Sequence, residues 1–133
     1  MLSRQPLKNA NKRRRKMSQE NLGAKAFTAG EDLEAYRRVK LSTGSGSQVE
    51  YADAGEDFIG ITAGKVASGD FITVKLKTSG RTFKLVADGA IDAGGDFYGA
   101  DDGKISATVS GSVIGKALEA SASDLEVIEG LLA

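Results

Sequence analysis

Phe71-Ile72-Thr73-Val74-Lys75-Leu76 is the stretch on which the fold turns. Ile72, Val74 and Leu76 fall on one side of an extended chain, and Thr73 and Lys75 fall on the other. An alternation of period two gives a strand with one face in a core and one in water. Working outward, β-branched or aromatic runs recur at 36–41, 48–52, 58–62, 81–86, 96–98, 105–109, 113–118 and 125–128, each set off by Gly, Asp or Ser. That punctuation is expected of many short strands joined by tight turns. Of the 17 glycines, 16 lie beyond residue 25, so the β-rich segment begins about there. Helix has little room, although 117–125 could form a turn or two.

Certain phrases recur. Gly30-Glu31-Asp32-Leu33, Gly55-Glu56-Asp57-Phe58, Gly69-Asp70-Phe71 and Gly94-Gly95-Asp96-Phe97 each read as a turn entering a strand, with Gly supplying unusual backbone angles and Asp satisfying turn amides. Two echoes strengthen the case for duplication: Val39-Lys40-Leu41 with Val74-Lys75-Leu76, and Ile59-Gly60 with Ile114-Gly115. The irregular spacing suggests an internal pseudo-repeat within one domain and not a solenoid.

A chain of 133 residues is one ordinary domain with an appendage. Its formal net charge is zero, but residues 1–25 carry eight basic side chains against one acidic, a net of +7, and residues 26–133 carry the opposing −7. The division is into a basic N-terminal arm over 1–25 and a β-rich domain over 26–133. The arm holds the run Lys12, Arg13, Arg14, Arg15 and Lys16, and its Met17 and Leu22 are too few for a packed amphipathic face. It is expected to be ordered only where a partner holds it.

The composition is poor in chemistry. Cysteine, histidine and tryptophan are absent, which removes disulfides, thiolate metal sites, the commonest general base and the commonest interface anchor. Glu31-Asp32, Glu56-Asp57 and Asp101-Asp102 are adjacent acidic pairs, yet neighbouring carboxylates diverge, and no loop has the alternating ligands of a calcium hand. Gly44-Ser45-Gly46-Ser47 lacks the following Lys-Ser or Lys-Thr of a phosphate loop and reads as a hairpin tip. The serines and threonines lack an activating partner. No catalytic residue, cofactor or metal ligand is therefore expected. No stretch approaches the roughly 18 consecutive apolar residues of a membrane span, and no apolar run follows the basic start as in a signal peptide. Synthesis in a cytoplasm is expected.

The basic run has two readings. Five consecutive cations could neutralise nucleic-acid phosphates. No aromatic side chain is interleaved with them to stack on bases, and the body's −7 opposes a phosphate backbone. Contact with an acidic protein surface fits the split charge better, and a nucleic-acid-binding accessory role is the alternative. Tyr36, Phe71 and Tyr98 are candidate interface aromatics whose competing role is ordinary core packing.

The ordered segments of the body resemble the small capsid cement or decoration proteins of tailed bacteriophages. The stretches that carry the resemblance are Ala29-Gly30-Glu31-Asp32-Leu33-Glu34-Ala35-Tyr36-Arg37-Arg38-Val39-Lys40-Leu41, Val49-Glu50-Tyr51-Ala52-Asp53-Ala54-Gly55-Glu56-Asp57-Phe58-Ile59-Gly60 and Ala67-Ser68-Gly69-Asp70. Later ones are Thr82-Phe83-Lys84-Leu85, Ala90-Ile91-Asp92-Ala93-Gly94, Asp102-Gly103-Lys104 and Ser112-Val113-Ile114-Gly115-Lys116-Ala117. The resemblance implies an all-β body, a small barrel or jelly-roll-like sandwich, without catalytic residues or cofactor. It implies a homodimer or homotrimer on the outer surface of the virion shell, bridging capsomers of the major capsid protein. The arm lies outside it, so the arm's role is an expectation from charge alone.

Overall fold

In the computed structural model, residues 23–132 are described. Ten strands run in chain order: β1 (Ala24–Ala29), β2 (Arg38–Leu41), β3 (Gln48–Tyr51), β4 (Gly60–Thr62), β5 (Phe71–Leu76), β6 (Phe83–Val86), β7 (Asp96–Gly99), β8 (Ile105–Ser106), β9 (Gly115–Ala117) and β10 (Val127–Leu132). A single 3-10 turn, Asp101–Gly103, separates β7 from β8. The first five strands close into a barrel in the order β1-β3-β2-β4-β5, with β5 returning to β1. The second five form the sheet β6-β10-β9-β7-β8, which curls until Ala87, just past β6, meets Ile105 of β8.

The two units share one topology. In each, the only parallel pairing joins the first and third strands: Ala29 beside Val49, and Ala87 beside Ile105. Every antiparallel register has a counterpart. Phe27 opposite Ile72 becomes Leu85 opposite Ile128, Val39 opposite Gly60 becomes Phe97 opposite Gly115, and Gly60 opposite Leu76 becomes Gly115 opposite Leu132. The stray bridge Leu33 to Val66 becomes Ile91 to Ser121. The fold is thus an internal duplication of barrels, with a displacement of 58 residues for the first two strands and 55 or 56 for the last three.

This register corrects the detail of the sequence repeats. Ile59-Gly60 and Ile114-Gly115 are true equivalents, and the reason is steric: a Cβ at Gly60 would strike the Lys75 carbonyl, and one at Gly115 the Leu131 carbonyl. Val39-Lys40-Leu41 and Val74-Lys75-Leu76 both belong to the first barrel, in β2 and β5, and are not equivalent. Gly94 matches Tyr36, not Gly30, and Gly69 matches Leu125. The glycine-aspartate phrases mark turns in general.

Alternation builds both cores as the sheet pleat requires. Phe27, Leu33, Val39, Val49, Ile72 and Val74 fill the first barrel. Leu85, Ile91, Phe97, Ile105 and Ile128 fill the second, joined by Ala52, Phe58 and Ile61 from the first. The helical turn expected within 117–125 is absent, because Ser121 is held in extended pairing with Ile91 through two backbone hydrogen bonds of 3.0 and 2.9 Å. β1 was not among the strands expected from sequence, and its Ala24 and Lys25 belong to the segment read there as arm.

Candidate interaction surfaces

The barrels meet around Arg38, the largest side chain with no solvent exposure. It leaves β2 toward the second barrel, where Nε donates to the Lys104 carbonyl at 3.0 Å and Nη2 to the Ala100 carbonyl, while Nη2 also donates to the Ala52 carbonyl of the first barrel at 3.0 Å. Its guanidinium lies 5.5 Å from the centre of the Phe58 ring. Burial pushes its pKa down to about 10 against the opposing fields of Asp53, Glu56 and Asp101, so it remains a cation at neutral pH. Tyr36 lies at the same junction: its amide donates to Thr62 at 3.0 Å and its carbonyl accepts from Val86 at 3.3 Å. The junction is asymmetric, since the second-barrel equivalents of Arg38 and Phe58 are Asp96 and Val113, both exposed.

Beside that junction a groove of about 260 Å³ is lined by Tyr36, Ile61, Lys75, Thr82, Phe83 and Glu129, among others. That is below the roughly 300–1,000 Å³ of ordinary ligand sites. Among the described residues no group of three or more potential ligands is placed to hold a metal, and no helix is long and apolar enough to cross a membrane.

Of the aromatic candidates, Phe71 is 79% exposed at the start of β5, whereas Tyr36 and Tyr98 are half-buried. Tyr98 is on the outside of β7, opposite Ser106. The three are therefore not one patch, and Phe71 alone is a free aromatic. On the outer faces of β1 and β5, Thr28 stands opposite Phe71, Ala26 opposite Thr73 and Ala24 opposite Lys75. The basic run Lys12, Arg13, Arg14, Arg15 and Lys16 lies outside the described residues.

Charges divide between the barrels. Residues 23–80 carry seven basic and eight acidic groups, a net of −1; residues 81–132 carry four and nine, a net of −5. On the first barrel the acids are answered locally: Lys40 donates to Glu56 at 2.8 Å and lies 3.7 Å from Glu50, while Lys77 donates to Asp57 at 2.8 Å. The hydrogen bond from Lys40 holds the Glu56 carboxyl below its ordinary range, and that from Lys77 does the same for Asp57. On the second barrel Lys104 spans Asp124 and Asp88, at 3.2 and 3.8 Å. Lys116 lies 3.1 Å from Asp96, and Thr82 donates to Glu129 at 2.7 Å.

Two barrels of one topology, locked by a buried arginine, define the chain as a tandem duplicated β-barrel. Among solved structures it is similar to the N base of the head fiber protein gp8.5 of bacteriophage phi29, with a TM-score of 0.69, 19% identity, and coverage of 83% of this chain and 92% of that one. At that identity the likeness is one of fold. No family model matches the chain, and no curated protein matches it.

The sequence does not single out Arg38 as the junction residue. The available signal was the doublet Arg37-Arg38, two adjacent cations in a strand candidate with no acidic neighbour on either side of the pair before Glu34.

Proposed function

We propose that this protein is a non-enzymatic structural component of a phage head, a cement or decoration protein bound to the outer surface of the assembled shell, where it bridges neighbouring capsomers of the major capsid protein and stabilises them. The observation that carries this reading is the likeness to the N base of a phage head fiber protein, over 92% of that chain. The tandem barrel suits such a role physically. A compact body with two differently charged halves, joined rigidly, can touch two neighbours at once, and each added interface raises the free energy needed to separate them. The basic arm supplies a tether to acidic protein surface, on the shell or on another copy, the protein associating with itself as a homo-oligomer.

The test is binding to purified shells. The protein should cosediment with assembled, expanded shells and not with free capsid protein, and decorated particles should survive heating that breaks undecorated ones. Equal binding to DNA fragments in place of shells, lost steeply with salt, would instead support the nucleic-acid reading.

A further inference from the structure

The groove between the barrels holds polar groups that the rest of the molecule leaves unused. Residues 23–132 carry eleven basic and seventeen acidic side chains, and nearly every basic one has an acceptor. Among the described residues only Lys25, Lys75 and Lys84 have none. Two of these three, Lys75 of β5 and Lys84 of β6, line the groove, one from each barrel. Glu129 stands opposite Lys84 in the register but does not pair with it. Its Oε2 accepts from the Thr82 hydroxyl at 2.7 Å, and its Oε1 has no partner among the described residues.

Tyr36 is a second, independent observation. Its backbone is left-handed, with φ of 63°, where the sister barrel has Gly94 at 79°. Glycine could make the same two backbone hydrogen bonds, from its amide to Thr62 and from Val86 to its carbonyl, without the strain. The side chain is therefore what this position keeps at a cost. It lines the groove, and its hydroxyl has no partner among the described residues. Strain held in this way is concentrated at functional positions.

The walls select the ligand. Lys75, Lys84 and the Tyr36 hydroxyl are vacant donors, so the ligand must bring acceptors. Two lysines against one glutamate leave a formal +1, which a single carboxylate balances and a phosphate dianion exceeds. Oε1 of Glu129 calls for a donor, which a ligand hydroxyl supplies. The floor is apolar, since Ile61 and Phe83 are 1% and 3% exposed, and it suits the carbon face of a ring. The acidic side chain of a peptide would satisfy the lysines but bring Glu129 no donor. At about 260 Å³ the groove is too small for a drug-sized molecule and has room for a single sugar ring.

We infer that this groove binds an acidic monosaccharide unit, with its carboxylate at Lys75 and Lys84, a hydroxyl on Glu129 and a ring face toward Tyr36. The site goes beyond the structural role proposed above and does not rest on it. Millimolar affinity is expected of one contact of this size.

Titration of the full chain with glucuronate, followed by backbone amide NMR shifts, tests it. The amides of Thr62, Thr82, Phe83 and Lys84 should move, with a midpoint that weakens as salt rises. Glucose lacks the carboxylate and glutamate lacks the ring and hydroxyls, so each should bind roughly tenfold more weakly. Lys75→Gln and Lys84→Gln, both outside the cores, should each weaken glucuronate roughly fivefold or more. Tyr36→Gly should relieve the backbone strain and abolish the response. No shift with glucuronate, shifts confined to other surfaces, or binding unchanged in both lysine variants or in Tyr36→Gly overturns the inference. Glucose or glutamate binding as tightly as glucuronate also overturns it, the latter by pointing to an acidic peptide.

Discussion

Leu125 in the second barrel occupies the position of Gly69 in the first, and both backbones are left-handed, with φ of 70° and 90°. The same relation holds for Tyr36 and Gly94, at 63° and 79°. A branched side chain in this region costs about 1–2 kcal/mol, because its Cβ crowds the following carbonyl. Leu125 is 60% exposed, so little burial offsets that cost. Leu125→Gly should therefore stabilise the protein by roughly 0.5–1 kcal/mol after the added freedom of the unfolded chain is subtracted. Urea denaturation checks it, and a lower midpoint for the glycine variant would count against the strain.

Arg38 makes the junction, so its removal should be felt throughout the molecule. Arg38→Met keeps much of the volume but leaves the Ala100, Ala52 and Lys104 carbonyls without their guanidinium donor. A loss of about 3 kcal/mol or more is expected. Arg38→Lys keeps the charge but cannot fork to three carbonyls, and should recover only part of the loss. Tyrosine fluorescence in urea reads both, since the chain has no tryptophan.

Acid should destabilise the first barrel through Glu56 and Asp57. Both carboxyls titrate below their ordinary values of 4.5 and 3.8 in the fold, because Lys40 and Lys77 bond to their charged forms. The stability they contribute is present above those ordinary values and is lost as pH falls through the lower folded ones. The double variant Lys40→Gln, Lys77→Gln should show a shallower fall in melting temperature below about pH 4.5. An acid limb as steep as the wild type's would place the effect elsewhere.

The arm is tested by a deletion that stops at Leu22, because Ala24 and Lys25 are paired in β1 with Lys75 and Val74. The shortened protein should keep its melting temperature within a degree or two and bind shells more weakly, with a smaller dependence on salt. Unchanged shell affinity and salt response would remove the arm from the binding mechanism.

Local patterning was enough for most strands. Phe71–Leu76 is a strand over the whole of the stretch read as one, and 48–52 and 96–98 differ from their strands by a single residue. Period-two alternation is a property of the strand itself. β1 escaped because its inward residues, Phe27 and Ala29, alternate with alanine and threonine, a weak contrast, and because the charge boundary fell inside it. Duplication was legible as echoes but not as a register, since the equivalent turns often hold different residues, as Tyr36 and Gly94 do. Arg38 was hidden for a deeper reason. An arginine in a strand reads as solvent-facing, and the three carbonyls that receive it come from residues 52, 100 and 104, which only tertiary folding assembles. Phe71 was legible as a candidate contact residue, but nothing in its own neighbourhood distinguished it from Tyr36; its exposure in the fold does.

Closing the first sheet on itself hides every ladder of amides and carbonyls that a neighbour could extend. Crowded molecules therefore find no edge on the first barrel to extend into a fibre. The seam between β6 and β8, held by the single Ala87–Ile105 bridge, is the place in the second barrel where that protection is thinnest, and the place to look first if the protein ever aggregates.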